Sequence, residues 1–273
     1  MQTGKLRGLV ASLALGASCL TTHSAMAREP GAKAELPIIE LRQYRVVPGK
    51  RDTFLALFER ELLEPQDALG IPILGQFRDM DRPNHIVWIR GFTDMPARGK
   101  ALNDFYYGPV WQAHRAEANP LLEDNDNVLM LRESRPGASF KAPKPRPPRG
   151  TTALPGGFVA ATIYYLNEMP DAAFVDFFDK QVKPALAKAK LPVLASFVPE
   201  TAANNFPRLP VREGEKVFVW FTRADSPADY DRAIAAVEAS KPWRGAVAPA
   251  LKARLAREPE ILRLEPAARS PLR

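Results

Sequence analysis

Residues 38–47 read IIELRQYRVV, with apolar and polar positions alternating in a way that predicts a β-strand closed by Pro48-Gly49. Over residues 53–63 the period changes, and Phe54, Leu55, Phe58 and Leu62 fall at helical spacing. Residues 73–78 and 86–92 read as a second and a third strand. Thr93 or Asp94 can cap a helix with Pro96 in its first turn, and Gly108-Pro109 interrupts that helical stretch before Trp111. A fourth strand covers residues 128–132. The order βαββαβ is that of a ferredoxin-like unit.

The pattern then returns. Phe54, Phe58, Pro72, Leu74 and Phe77 recur 120 positions later as Phe174, Phe178, Pro192, Leu194 and Phe197. Past an insertion of about a dozen residues at 201–212 the offset becomes 132, matching Val87-Trp88 to Val219-Trp220 and Trp111 to Trp243. The closing strand of the second copy is residues 261–265. A shared offset at this many positions reads as a tandem duplication. Between the copies, residues 134–157 carry six prolines and five basic residues without an acid, which predicts an extended, solvated linker. The fold class expected is therefore α+β. Ferredoxin-like domains at 36–133 and 158–266 would pack sheet to sheet as an α/β barrel completed within one chain. Such a barrel needs no second chain to close, which leaves a monomer and a further homo-oligomer both open.

At the N-terminus Lys5 and Arg7 precede an apolar run over residues 9–20, too short for a stable membrane anchor. Ala25-Met26-Ala27 supplies the small-x-small pattern of a cleavage site, so residues 1–27 read as a signal peptide and the protein as exported, to the periplasm. A lipid-modified Cys19 is the rival reading, but Gly16-Ala17-Ser18 lacks the large aliphatic residue that such a signal carries three positions upstream. Of 38 basic and 31 acidic residues, cleavage would leave 36 and 31, a net charge of +5. The charges are interspersed and build no basic helix, which argues against nucleic acid as a partner. Cys19 is the one cysteine of the 273 residues, so the mature chain would hold none. Nucleotide loops, Gly-x-Ser-x-Gly and His-Glu-x-x-His are all absent, and two distant histidines give no recognisable metal spacing.

The segment Glu40-Leu41-Arg42-Gln43-Tyr44 followed by Val47-Pro48-Gly49-Lys50 resembles the opening of NIPSNAP-domain proteins. Phe54, Phe58, Gly70, Gly75, Phe77, Arg98, Trp111 and Pro120-Leu121-Leu122 extend the resemblance to about residue 132. The second half lacks the Pro-Gly-Lys element and reads Asn167-Glu168-Met169-Pro170 instead. The resemblance implies the dimeric α/β-barrel architecture, a superfamily that includes small monooxygenases, some without cofactor, and haem proteins. Family members often carry His and then Trp in the third strand, where this chain has Trp88 and Arg90. His85 stands three positions earlier, so no role transfers to it.

Alternation sets Glu40, Arg42 and Tyr44 on one strand face and Ile39, Leu41 and Gln43 on the other. If the more consistently apolar face meets the helices, the charged trio faces an inter-sheet cavity. Arg42 would then stabilise negative charge, Tyr44 donate a hydrogen bond and Glu40 handle a proton, in an oxygenase- or isomerase-like step on a small, mainly apolar or aromatic ligand. Trp88, Arg90 and Tyr164 would line the same cavity, with Tyr106 and Tyr107 as a lid beside Gly108-Pro109. Three readings compete with this one: a structural ion pair of Glu40 with Arg42, a non-catalytic interaction protein using the basic linker or the aromatic loop, and a haem barrel with His85 or His114 as axial ligand. No cofactor is the primary expectation.

Overall fold

Eight strands close into one barrel. They are β1 (Ile38–Val46), β2 (Ile73–Asp79), β3 (His85–Phe92), β4 (Leu122–Glu133), β5 (Phe158–Tyr165), β6 (Val193–Pro199), β7 (Val217–Ala224) and β8 (Glu260–Pro266). Their order around the barrel is β1-β3-β2-β8-β5-β7-β6-β4, with every neighbouring pair antiparallel. The two halves are stitched where β2 pairs with β8 and β4 with β6, and closure leaves no strand edge unpaired. The structure is a computed structural model that describes Met1, residues 35–141 and residues 145–273. The expected leader, with Cys19 and the cleavage point after Ala27, lies outside the described residues. No helix among the described residues is long and apolar enough to cross a membrane.

Helices cover the outside of each half. α1 (Arg51–Leu57) runs through a π turn at Phe58–Leu62 into α2 (Leu63–Ala68), and α3 (Met95–Tyr106) is followed by α4 (Pro109–Ala118). The second half has α5 (Ala172–Phe177), a π turn at Phe178–Val182, α6 (Lys183–Lys188), α7 (Pro227–Ala239) and α8 (Ala248–Lys252). Asp94 rather than Thr93 caps α3, its carboxylate accepting from the Ala97 amide at 2.7 Å. β4 begins six residues before the strand expected at 128, at Leu122. Its polar stretch at 123–126 carries no alternation to read and is held by pairing with β1, Arg45 opposite Asp124 and Val46 opposite Leu122.

The two faces of the sheet are the reverse of the sequence expectation. Ile39 and Leu41 join Val87, Ile89, Leu129, Leu131, Val159, Ala161, Val219 and Phe221 in a fully buried cluster drawn from all eight strands. These side chains fill the barrel interior. Tyr44 and Trp88 instead pack with Phe54, Phe58 and Phe105 from the helices. Strands surround the barrel interior, and their backbone donors and acceptors already pair with one another. Polar side chains on that face, Gln43 and Asp79, find a donor only at the barrel end, in Arg82, so the consistently apolar face fills the middle of the barrel. The helix side has helix and loop groups to offer and accepts the polar face.

The inter-half segment is also more tightly held than a solvated linker. Phe140 packs on Phe197 and Phe221 with ring centroids 5.5 and 4.9 Å away, against the barrel interior. Arg146 donates to Asp67 at 2.8 Å, and Pro147 O accepts from Arg269 at 3.1 Å. Arg269 in turn donates to Glu59 O at 2.5 Å, tying the C-terminal segment and the linker to the same helix. Phe140→Ala is expected to cost about 2–3 kcal/mol, below the full value for a completely buried Phe because Phe140 is half-buried. The check is the urea midpoint, which a merely solvated linker would leave unchanged.

Candidate functional site

On the helix side of the first four strands one carboxylate gathers three guanidinium groups. Antiparallel register places Glu40 opposite Arg90 and Arg42 opposite Trp88. Arg98 reaches the same point from the first turn of α3. Glu40 Oε2 accepts from Arg42 and, at 2.7 Å, from Arg90 Nε, while Oε1 accepts from Arg98 Nε at 2.7 Å. All four side chains are fully buried. Among the described residues no other carboxylate pairs with these arginines, so two positive charges in the cluster are uncompensated.

Neutral groups complete the shell. Arg42 Nε donates to Tyr44 Oη at 2.8 Å, and Arg90 Nη1 to Gln66 Oε1 at 3.4 Å. Gln66 is held by donating to Leu62 O at 3.0 Å, at the end of the π turn. Arg98 Nη1 donates to Asn205 Oδ1 at 2.6 Å and Asn204 Oδ1 at 3.1 Å, both in the loop after β6. Aromatic faces add partial compensation, with Arg42 over Trp88 at 5.3 Å and Arg90 over the same ring at 5.2 Å. Arg42 Nη2 and Trp88 Nε1 are buried and have no hydrogen-bond partner among the described residues.

Burial by itself would raise the Glu40 carboxyl, but Arg90, Arg42 and Arg98 outweigh it and hold the group well below the usual carboxylate range. With both oxygens accepting from guanidinium groups, the Glu40 carboxylate holds the three arginines in place. Burial pushes the Tyr44 phenol up to about 12, against the pull of Arg42. Tyr44 is therefore neutral near pH 7. Its oxygen accepts from Arg42, which leaves its own O–H to donate elsewhere.

Beside the cluster lies a cavity of about 50 Å³ lined by Tyr44, Phe58, Gln66, Trp88, Tyr106, Trp111 and Leu209. Asn119, exposed, marks its solvent side. The structure thus brings Glu40, Arg42, Tyr44, Trp88, Arg90 and Tyr106 together, at the helix–sheet interface and not between the sheets. Two sequence candidates fall elsewhere. Tyr107 is 61% exposed and its ring meets Phe206 edge-on, outside the pocket lining. Tyr164 belongs to the separate helix-side core of the second half, beside Trp220. Neither His85 nor His114 is in the pocket lining: His85 opens β3 opposite Arg45, and His114 on α4 lies 3.5 Å from Glu61.

Sequence reasoning missed Arg98, Gln66, Asn204, Asn205 and Leu209 as site residues. A signal for Arg98 existed in the comparison of the halves. In the second half Ala160 pairs with Thr222 and Thr162 with Trp220, the places that Glu40–Arg90 and Arg42–Trp88 hold in the first. At the 132 offset Arg98 meets Tyr230. Every charged member of the cluster thus has a neutral counterpart, while the Tyr–Trp pair is kept.

The charged cluster sits wholly on β1, β3 and α3. Residues 39–134 match the NIPSNAP family. The NIPSNAP segment runs through β4 and contains Glu40, Arg42, Arg90 and Arg98; Asn204, Asn205 and Leu209 come from beyond it. The chain matches no curated protein sequence. Over the whole barrel it is similar to a monooxygenase-like protein from Fusobacterium nucleatum, at 12% identity, TM-score 0.52, covering 86% of this chain and 94% of that one. A monooxygenase-like protein from Lactobacillus acidophilus is similar at 13% identity and TM-score 0.50, covering 86% and 97%. An anthrone oxidase-like protein is similar at 12% identity and TM-score 0.50, covering 85% and 92%. Likeness at this identity shows a shared α/β-barrel fold alone, because a fold hosts many chemistries.

Proposed function

We propose that the NIPSNAP half binds a small organic anion with an apolar body, its acidic head at the cluster and its body against the aromatic wall. The observation that carries this reading is the charge imbalance: three buried guanidinium groups share one buried carboxylate. An excess of buried positive charge is costly unless an anion meets it. Among the described residues Tyr44 O–H and Trp88 N–H have no acceptor, both residues line the pocket, and Arg42 donates to the Tyr44 oxygen.

The same geometry suits holding negative charge on the ligand in an oxygenase- or isomerase-like reaction, with Tyr44 donating to an enolate oxygen and Arg42 behind it. Three similar barrels with monooxygenase- or oxidase-like names support that direction. In this reading the two halves are duplicated ferredoxin-like units, only the first of which kept or acquired the charged set. The protein works outside the cytoplasm after loss of residues 1–27.

The test is calorimetric titration of the purified protein with acetate and propionate, and with the corresponding neutral amides. The acids are expected to bind and the amides not. Tyr44→Phe, which keeps the ring, is expected to weaken binding about tenfold or more, the worth of a hydrogen bond to a charged group. Equal binding of acid and amide, or no binding of either, would sink the proposal.

A further inference from the structure

The connection between β6 and β7 is residues 200–216, seventeen residues, where the matching connection between β2 and β3 is residues 80–84, five residues. The extra length crosses to the first half. Both ends of the insertion are pinned to β4, by Glu200 N donating to Met130 O at 3.0 Å and Arg212 N to Val128 O at 2.8 Å. Between them Asn204 and Asn205 each use the side-chain oxygen on Arg98 and the nitrogen on a backbone carbonyl, Leu209 O at 2.9 Å and Met95 O at 2.5 Å. A Cβ on residue 99 would lie 2.7 Å from Asn205 Nδ2, so Gly99 is what lets the loop sit down on α3.

Within 200–212 only Phe206 and Leu209 are buried. Phe206 stacks on Tyr106 at 5.6 Å, and Leu209 reaches the pocket lining itself. The cavity they help to close measures about 50 Å³. A benzene-binding cavity is about 150 Å³, so the space admits a carboxylate-sized head but no aromatic ring.

We infer that this insertion, contributed by the second half, sets the size of ligand the first half admits, with Leu209 as the specificity-determining residue. The inference rests on the anion-binding reading above. A loop anchored at both ends and in the middle is a fixed wall, and shortening its one aliphatic side chain in the pocket enlarges the space without touching the arginines. Leu209 sits on a loop and makes no strand pairing, so its truncation leaves the barrel intact.

The experiment compares wild type, Leu209→Ala and Leu209→Phe by calorimetric titration with propionate and with benzoate, circular dichroism confirming the fold of each. Wild type is expected to bind propionate and to bind benzoate at least tenfold more weakly. Leu209→Ala should raise the ratio of benzoate to propionate affinity at least tenfold, and Leu209→Phe should lose both. If Leu209→Ala keeps the wild-type ratio of the two acids, Leu209 is no selector and the inference falls while the binding reading stands. If none of the three proteins binds either acid, the binding reading itself falls and takes this inference with it.

Discussion

Glu40→Gln is expected to destabilise the protein by about 3–5 kcal/mol, the cost of leaving buried charges without their partner. For a chain of this size that lowers the melting temperature by on the order of 10 °C. The reason is specific to this site: Glu40 is the single carboxylate that Arg42, Arg90 and Arg98 share, and all four are fully buried. The amide keeps the shape and removes the charge. Thermal unfolding followed by circular dichroism is the measurement, and a fall of less than about 2 °C would mean that the arginines do not depend on Glu40. The pH profile gives an independent check. The Glu40 carboxyl lies below its ordinary value in the folded chain. Its contribution to stability is therefore complete above the unfolded value of about 4.3 and is lost as the pH falls below it toward the folded value. Wild-type stability should show that acid-side decline, and Glu40→Gln should lack this component of it.

Replacing the whole cluster should do the opposite. The fourfold variant Glu40→Ala, Arg42→Thr, Arg90→Thr and Arg98→Tyr installs the set that the second half carries at Ala160, Thr162, Thr222 and Tyr230. It is expected to fold, and to lie within about 2 kcal/mol of wild type or above it, because removing a buried ionic group entirely avoids the desolvation that breaking it exposes. The four changes are in contact, so their effects are far from additive. Carboxylate binding should vanish in the same protein. Urea unfolding and calorimetric titration with propionate read the two properties separately. A fourfold variant less stable than Glu40→Gln would show the cluster to be structural, and one that folds and still binds propionate would remove the arginines from the ligand site.

Much of this was legible before any coordinates. Strand and helix periods located every strand in the first half, and the repeated offset placed the second. The quartet Glu40, Arg42, Trp88 and Arg90 is legible in the sequence because alternation puts Glu40 with Arg42 and Trp88 with Arg90. The site was misplaced by a single step, the choice of which face turns inward. Gln66 owes its place to a side-chain bond to Leu62 O at the end of a π turn, and hydrophobic spacing carries no mark of that turn. Arg98 lies on a helix, where only its difference from the counterpart Tyr230 marks it.

What the amino-acid sequence determined on its own is the local set: the periods, the caps, the repeated element order and the residues that share a strand face. Those follow from interactions within a few residues, which a linear pattern records. What only the tertiary structure decided is where these faces look and what covers them. Whether Ile39 or Glu40 points into the barrel depends on eight strands closing together, which leaves the middle of the interior to apolar side chains whose surrounding backbone groups are already paired. Likewise, residues 200–212 read in the chain only as extra length. Their anchoring on β4 and their contacts with Arg98, Met95 and Tyr106 arise because closure brings β6 against β4.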